Sequence, residues 1–392
     1  MMRRSRPSIW LLGVLTAIDA IAIDLCVPAL PSLQRTFAVD AVAAQATLSV
    51  FFAGLAAGQA AWGPASDRFG RRPPLLIGLA ALVAGSILAA AADSLAAMLF
   101  GRFLQAIGAS AGLVLARAVV NDLWPADRAA RLYSQLMQIL GLATMIAPVV
   151  GGALLLLGSW RWIFVTLTAI GVIALVWTWR SLPESRASSA VADERLVEGW
   201  LRLVRLPGFA ATVMISALTM AAMFVLLTGF SFLFIGELGW SSTQFSILYG
   251  GTSIGFVLAC QLNILALART SAARVLRLGL AGQLLLALVL TTLVLGGGRH
   301  APTIAILFAG LISSLGFTLG NAVSEAMGRA PPALAGAASG AIGVTQFSFS
   351  ALVTPLATLD PSVSRSTVLT LLACAVAASL LDLCRRVARV RR

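Results

Sequence analysis

The chain contains no lysine, one histidine, two tyrosines and four cysteines, and only 11% of its 392 residues are charged. Each scarcity excludes something. A soluble domain carries about 25% charged residues, so a chain this poor in charge cannot cover a water-facing surface and must use lipid as its solvent. Without lysine, no phosphate-binding loop of the G-x-x-x-x-G-K-[ST] type can exist. The chain therefore has no ATPase of its own, and energy must come from an ion gradient, the substrate gradient or a partner. Cys26, Cys260, Cys374 and Cys384 lie in or at the ends of apolar runs, none at metal-ligand spacing, and read as free thiols. No metal or cofactor is expected. His300, in a loop beside the glycines at 296–298, reads as a solvated side chain rather than a proton carrier. No nucleophile–base pair supports an enzyme.

What is present is apolar sequence. The chain is 59% hydrophobic, with a mean hydropathy of +0.95. A membrane span needs roughly 20 mostly apolar residues. Twelve such runs stand out, at 8–30, 43–63, 74–92, 95–119, 132–157, 161–180, 208–235, 243–266, 273–295, 302–324, 334–357 and 364–384. The expected fold is an all-α membrane protein of about twelve transmembrane helices in two six-helix halves. Residues 1–180 form the first half, 181–207 a polar linker and 208–392 the second half. The basic start MMRRSRPSIW precedes a long run holding two aspartates, which reads as a retained first helix rather than a cleaved signal.

The formal net charge of +13 comes from 28 arginines. They sit in short clusters between apolar runs, not on one face of a polar domain, so nucleic acid is not expected as a partner. With the N-terminus inside, 22 arginines fall in inside loops and at inside ends, 4 fall outside (Arg35, Arg161, Arg299 and Arg365), and Arg102 and Arg117 lie within spans. A miscounted span would scramble this bias, because every later loop would change sides. The asymmetry supports the count and predicts both termini in the cytoplasm of a bacterial inner membrane.

The loop after the second span reads GPASDRFGRRPPL, with Gly63, Asp67, Arg68, Gly70, Arg71 and Arg72. The pattern G-x-x-x-D-R-x-G-R-R resembles the signature of the major facilitator superfamily. Gly63 permits close helix approach, Asp67 can accept from arginines, and the three arginines suit acidic partners or anionic lipid heads. The resemblance implies a latch that holds the cytoplasmic side shut in one state. The fourth span contains RFLQAIGASAG, similar to the family's R-x-x-Q-G-x-G motif with Ala106 in place of a glycine. The fifth contains GLATMIAPVVGGALL, similar to the antiporter motif G-x-x-x-G-P-x-x-G-G, carried by Gly141, Ala147, Pro148, Gly151 and Gly152. Within the superfamily that motif marks exporters. Its small residues offer a close face to a neighbour such as the eighth span, with Gly250, Gly251 and Gly255. Together with DLCVPALP at 24–31 and AGAASGAIGVTQ at 335–346, these segments resemble the bicyclomycin- and chloramphenicol-resistance (Bcr/CflA) branch of drug:proton antiporters. The counterpart of the charged loop in the second half, NILALARTSAARV, holds no acid.

An arginine inside a span costs roughly 3 kcal/mol or more, and should face a partner. At about 1.5 Å per residue, Asp24 lies about 24 Å up from the inner end of the first span and Arg102 about 10 Å down from the outer end of the fourth. In a core about 30 Å thick these heights match. Gln105 is one turn from Arg102. Asp19 and Asp24 lie about 140° apart around their helix, so they cannot both face one partner squarely. Burial favours the protonated form of an acid and a nearby guanidinium favours the ionised form. Asp24 is therefore the expected proton carrier, with Arg102 and Gln105 as partners and Asp19 as the alternative. The reading that follows is proton-coupled efflux of small, mostly apolar drugs, of the amphenicol or bicyclomycin type implied by the resemblance. The competing reading is transport of a sugar, nucleoside or amino-acid derivative. The expected partners are the drug, protons and membrane lipid, and the family expectation is a monomer.

Overall fold

A computed structural model describes residues 7–124, 126–185, 201–331, 334–360 and 362–390. The elements are α1 (Ile9–Asp24), α2 (Leu30–Phe37), α3 (Ala41–Phe69), α4 (Arg72–Ala90), α5 (Leu95–Leu123), α6 (Ala126–Leu155), α7 (Arg161–Ser181), α8 (Phe209–Ser231), α9 (Ser242–Leu267), α10 (Ala272–Leu295), α11 (Ala301–Met327), α12 (Ala335–Val353) and α13 (Val363–Val390). Among the described residues, twelve helical stretches are long and apolar enough to cross a membrane, and they match the twelve runs in number and order. The differences are local. The first stretch continues to Phe37, through a short 3-10 turn at Val27–Ala29, into α2. Pro28 and Pro31 lack the N–H groups an uninterrupted α-ladder would need there. In α6 the apolar part is Gln138–Leu155, and the turns before it are polar.

Contacts divide the chain into two compact units, Met1–Phe37 with Val50–Asp193, and Ala38–Ser49 with Glu194–Arg392. The first unit surrounds α1 with α5, α6 and α7, while α4 packs on α5 and α7. The second unit repeats this pattern. There α8 packs on α11, α12 and α13, and α10 on α11 and α13. An internal repeat of this kind is a hallmark of secondary transporters. The first turns of α3 belong with the second unit, where Gln45 Nε2 donates to Thr228 Oγ1 at 2.6 Å and to the Thr354 carbonyl at 3.0 Å. Part of the expected linker at 181–207, residues 186–200, lies outside the described residues.

Van der Waals fit holds membrane helices together, because lipid is as apolar as leucine. The α4–α5 seam shows how. A Cβ on Gly108 would lie 2.2 Å from the Leu82 nitrogen, and one on Gly85 would lie 2.3 Å from the Gln105 nitrogen. Only glycine lets these two backbones meet, and that contact sets the height of Arg102 against its neighbours.

Candidate functional site

Arg102 is fully buried in the first unit. Its Nη1 donates to Gln105 Oε1 at 2.6 Å and to the Ala22 carbonyl of α1 at 3.2 Å. Gln105 Nε2 donates to Ser86 Oγ at 2.7 Å, and Ser86 donates to the Leu82 carbonyl of α4, also at 2.7 Å. The guanidinium carbon stands 4.1 Å from the Phe51 ring centroid and 5.7 Å from that of Phe164. A desolvated cation over an aromatic face gains about 2 kcal/mol or more, which offsets part of the cost of burying it. The chain of donors ties α1, α5 and α4 together, with phenylalanines from α3 and α7 closing over the charge.

Asp24 is buried at the end of α1, two residues beyond the carbonyl that Arg102 holds, a rise of about 3 Å along the helix. Asp19 is also buried, and its Oδ1 has no hydrogen-bond partner among the described residues.

The arginine-rich loop between α3 and α4 forms a second cluster. Arg71 Nε donates to Asp122 Oδ2 at 2.8 Å, and its Nη1 to Ser66 Oγ at 2.7 Å. The Arg71 and Arg72 backbone N–H groups donate to the two oxygens of Glu184 at 2.8 and 3.1 Å. Glu184 thus caps the N-terminus of α4, where a carboxylate complements both the unpaired N–H groups and the helix dipole. Ser185 adds a hydrogen bond to Asp122 Oδ2 at 3.2 Å. Gly70 sits at φ +85°, and a Cβ there would lie 2.7 Å from Glu184 Oε2, so the turn needs glycine twice over. Arg68 lies 5.2 Å from the Phe69 ring centroid. The Asp67 side chain lies outside the described residues. The close approach expected at Gly63 is absent, since a Cβ there would meet nothing within 4 Å.

Sequence reading missed Glu184. The available signal was its position, an acid just beyond the sixth span and facing a loop of three arginines. Asp122, in the last turn of α5, pairs with Arg71 of the loop at 2.8 Å.

In α6, Ala147 and Pro148 are buried. A Cβ on Gly151 would lie 2.5 Å from the Leu25 carbonyl, so the neighbour this glycine meets is α1. The carbonyl of Gly141 accepts from Thr144 Oγ1 at 2.9 Å. In the second unit, Gln346 Nε2 donates to Ser216 Oγ at 2.6 Å and Asn321 Nδ2 to Asn263 Oδ1 at 2.7 Å. Phe230 stacks on Phe308 at 4.5 Å and Phe234 joins them, so these rings serve packing. Among the described residues no group of His, Cys, Asp and Glu could hold a metal ion.

The profile of the Major Facilitator Superfamily matches residues 12–355. A bicyclomycin resistance protein homolog of Haemophilus influenzae is 27% identical over 351 residues, 87% of this chain and 86% of that protein. A chloramphenicol resistance protein of Pseudomonas aeruginosa is 30% identical over 289 residues, 72% of this chain and 68% of that one. Among solved structures, a D-xylose–proton symporter superposes with a TM-score of 0.77 at 16% identity, covering 96% of both chains, a likeness of fold alone. With twelve spans, a repeated packing order, the charged loop after the second span and a buried arginine in the fourth, the chain belongs to the major facilitator superfamily, where it resembles the bicyclomycin- and chloramphenicol-resistance branch.

Proposed function

We propose that the protein exports small, mostly apolar drugs of the amphenicol or bicyclomycin type, by proton-coupled alternating access across a bacterial inner membrane. Support for drugs as the substrate class comes from the relatives' names and from the exporter-type motif in α6. Orientation follows from charge: the arginine-rich ends face the cytoplasm, and both termini lie there. The six-helix halves are 1–180 and 208–392, joined by the linker at 181–207.

One observation carries the coupling mechanism. A permanently charged guanidinium is held in a span with its Nη1 on the Ala22 carbonyl, two residues along α1 from buried Asp24. With Asp24 ionised and the cavity open inside, drug enters from the cytoplasm or the inner leaflet. After the switch outward, a proton binds Asp24, weakens its hold on Arg102, releases the drug and resets the carrier. Gln105 keeps the guanidinium aimed while this happens. The loop of Asp67, Arg68, Arg71 and Arg72 is the latch of the closed state, with Glu184 and Asp122 as its acidic partners.

The test is drug accumulation in inverted vesicles under an imposed pH gradient. Export is expected to stop when the gradient is collapsed, and Asp24→Asn is expected to abolish gradient-driven transport. Undiminished export without the gradient would defeat proton coupling. A fully active Asp24→Asn variant would move the role to Asp19. Transport of a sugar, nucleoside or amino-acid derivative with no drug transport would overturn the substrate class.

A further inference from the structure

We propose that the arginine-rich end of the second unit carries a binding site for the headgroup of one anionic phospholipid, clamped by Arg277 of α10 and Arg386 of α13. Both guanidiniums converge on Asp382 Oδ2, Arg386 Nε at 3.1 Å and Arg277 Nε at 4.0 Å. Asp382 is buried, with its side chain 3% exposed, whereas those of Arg277 and Arg386 are 46% and 37% exposed. The acid therefore sits behind the two arginines and holds part of their charge without covering them.

Behind this pair the charge is already matched. Arg385 donates to Asp382 Oδ1 at 2.7 Å and reaches Glu325 of α11 at 3.3 Å, and Arg329 lies 4.0 Å from the same Glu325. Among the described residues, the ion pairs of this cluster join four guanidiniums to two carboxylates, and the two outer arginines, Arg277 and Arg386, lie at the exposed edge. Arg277 makes no hydrogen bond to the described residues; its sole ion-pair contact is the 4.0 Å approach to Asp382. Its planar fork of N–H donors suits a phosphate oxygen pair.

The surroundings favour lipid over a soluble anion. Leu278 follows Arg277, and Leu383 and Val387 flank Arg386; all three are exposed. An acyl chain lying along these side chains would bring its phosphodiester to the height of the two arginines, where basic residues at the membrane edge hold acidic headgroups. The site also accounts for the missing acid in NILALARTSAARV: the second unit draws its carboxylates from α11 and α13 instead. The proposal does not depend on which compound is transported.

Native mass spectrometry of the detergent-extracted full chain, with added phosphatidylglycerol or phosphatidylcholine, tests it. The wild-type protein is expected to retain one phosphatidylglycerol in preference to phosphatidylcholine. The double variant R277Q/R386Q should lose about tenfold in that retention. R35Q/R365Q, which removes two exposed arginines at the opposite end, should leave it unchanged. Asp382→Asn removes the competing carboxylate and is expected to raise retention, a response that a purely structural role would not give. If that variant does not fold, the half-exposed double variant decides alone. Equal retention in R277Q/R386Q and wild type would overturn the proposal. So would displacement of the lipid by millimolar inorganic phosphate, which would mark a site for a soluble anion.

Discussion

The guanidinium at position 102 works through its shape as well as its charge. One nitrogen bridges Gln105 and Ala22, while the flat face lies 4.1 Å from the Phe51 ring centroid. Lysine would keep the charge and lose both the fork and the stacked face. Arg102→Lys is therefore expected to fold but to transport at least tenfold more slowly, measured as drug efflux at matched expression. Arg102→Ala leaves the Gln105 oxygen and the Ala22 carbonyl without this donor and opens a void between two phenylalanines. A loss of about 2–4 kcal/mol is expected, read as a lower midpoint in thermal unfolding of the detergent-solubilised protein. Because arginine keeps its proton at any physiological pH, a switch built on Arg102 and the proposed carrier Asp24 must act through the acid.

Among the elements, α4 depends on contacts from two sides. At its start, Glu184 accepts from two backbone N–H groups. Glu184→Ala is expected to cost about 1–2 kcal/mol, again seen as a fall in the thermal midpoint. Glu184→Gln should recover part of that loss, because an amide oxygen still accepts. Along its length α4 meets α5 with glycines at the seam, and a side chain at Gly108 would run into the Leu82 backbone. Gly108→Val is therefore expected to give no folded protein in membrane fractions, while valine at Gly63, where the space is open, should be tolerated for folding. Equal yields of the two variants would show that the seam is not what fixes α4.

For the whole molecule, the expected topology places every arginine cluster on one side. Single cysteines introduced at Arg269 and Arg274 should resist a membrane-impermeant thiol reagent in intact cells, whereas cysteines at Arg299 and Arg365 should react. The reverse pattern would invert the orientation. The number and order of the spans were readable from sequence, because lipid imposes a simple rule: about twenty apolar residues per crossing. The motif positions were readable for the same reason, since each lies at a fixed place relative to a span. The contacts that complete them were not. Glu184, Asp382 and the Gln346–Ser216 pair depend on which faces distant helices turn to one another, and no periodicity in a uniformly apolar helix reports that. The partner Gly151 meets, the end of α1, is set by the packing of α6 beside that helix, which composition does not report.

That last contact has a genetic consequence. The obstacle facing any side chain at position 151 is the peptide oxygen of Leu25, the residue next to the proposed proton carrier. A main-chain atom stays in place whatever amino acid occupies position 25. An alanine or valine introduced at 151 would wedge the fifth span away from the acid, and trimming Leu25 would not relieve it. Bacteria selected on drug after such a change should regain resistance by restoring glycine itself, and compensating mutations across the contact should be missing from the survivors.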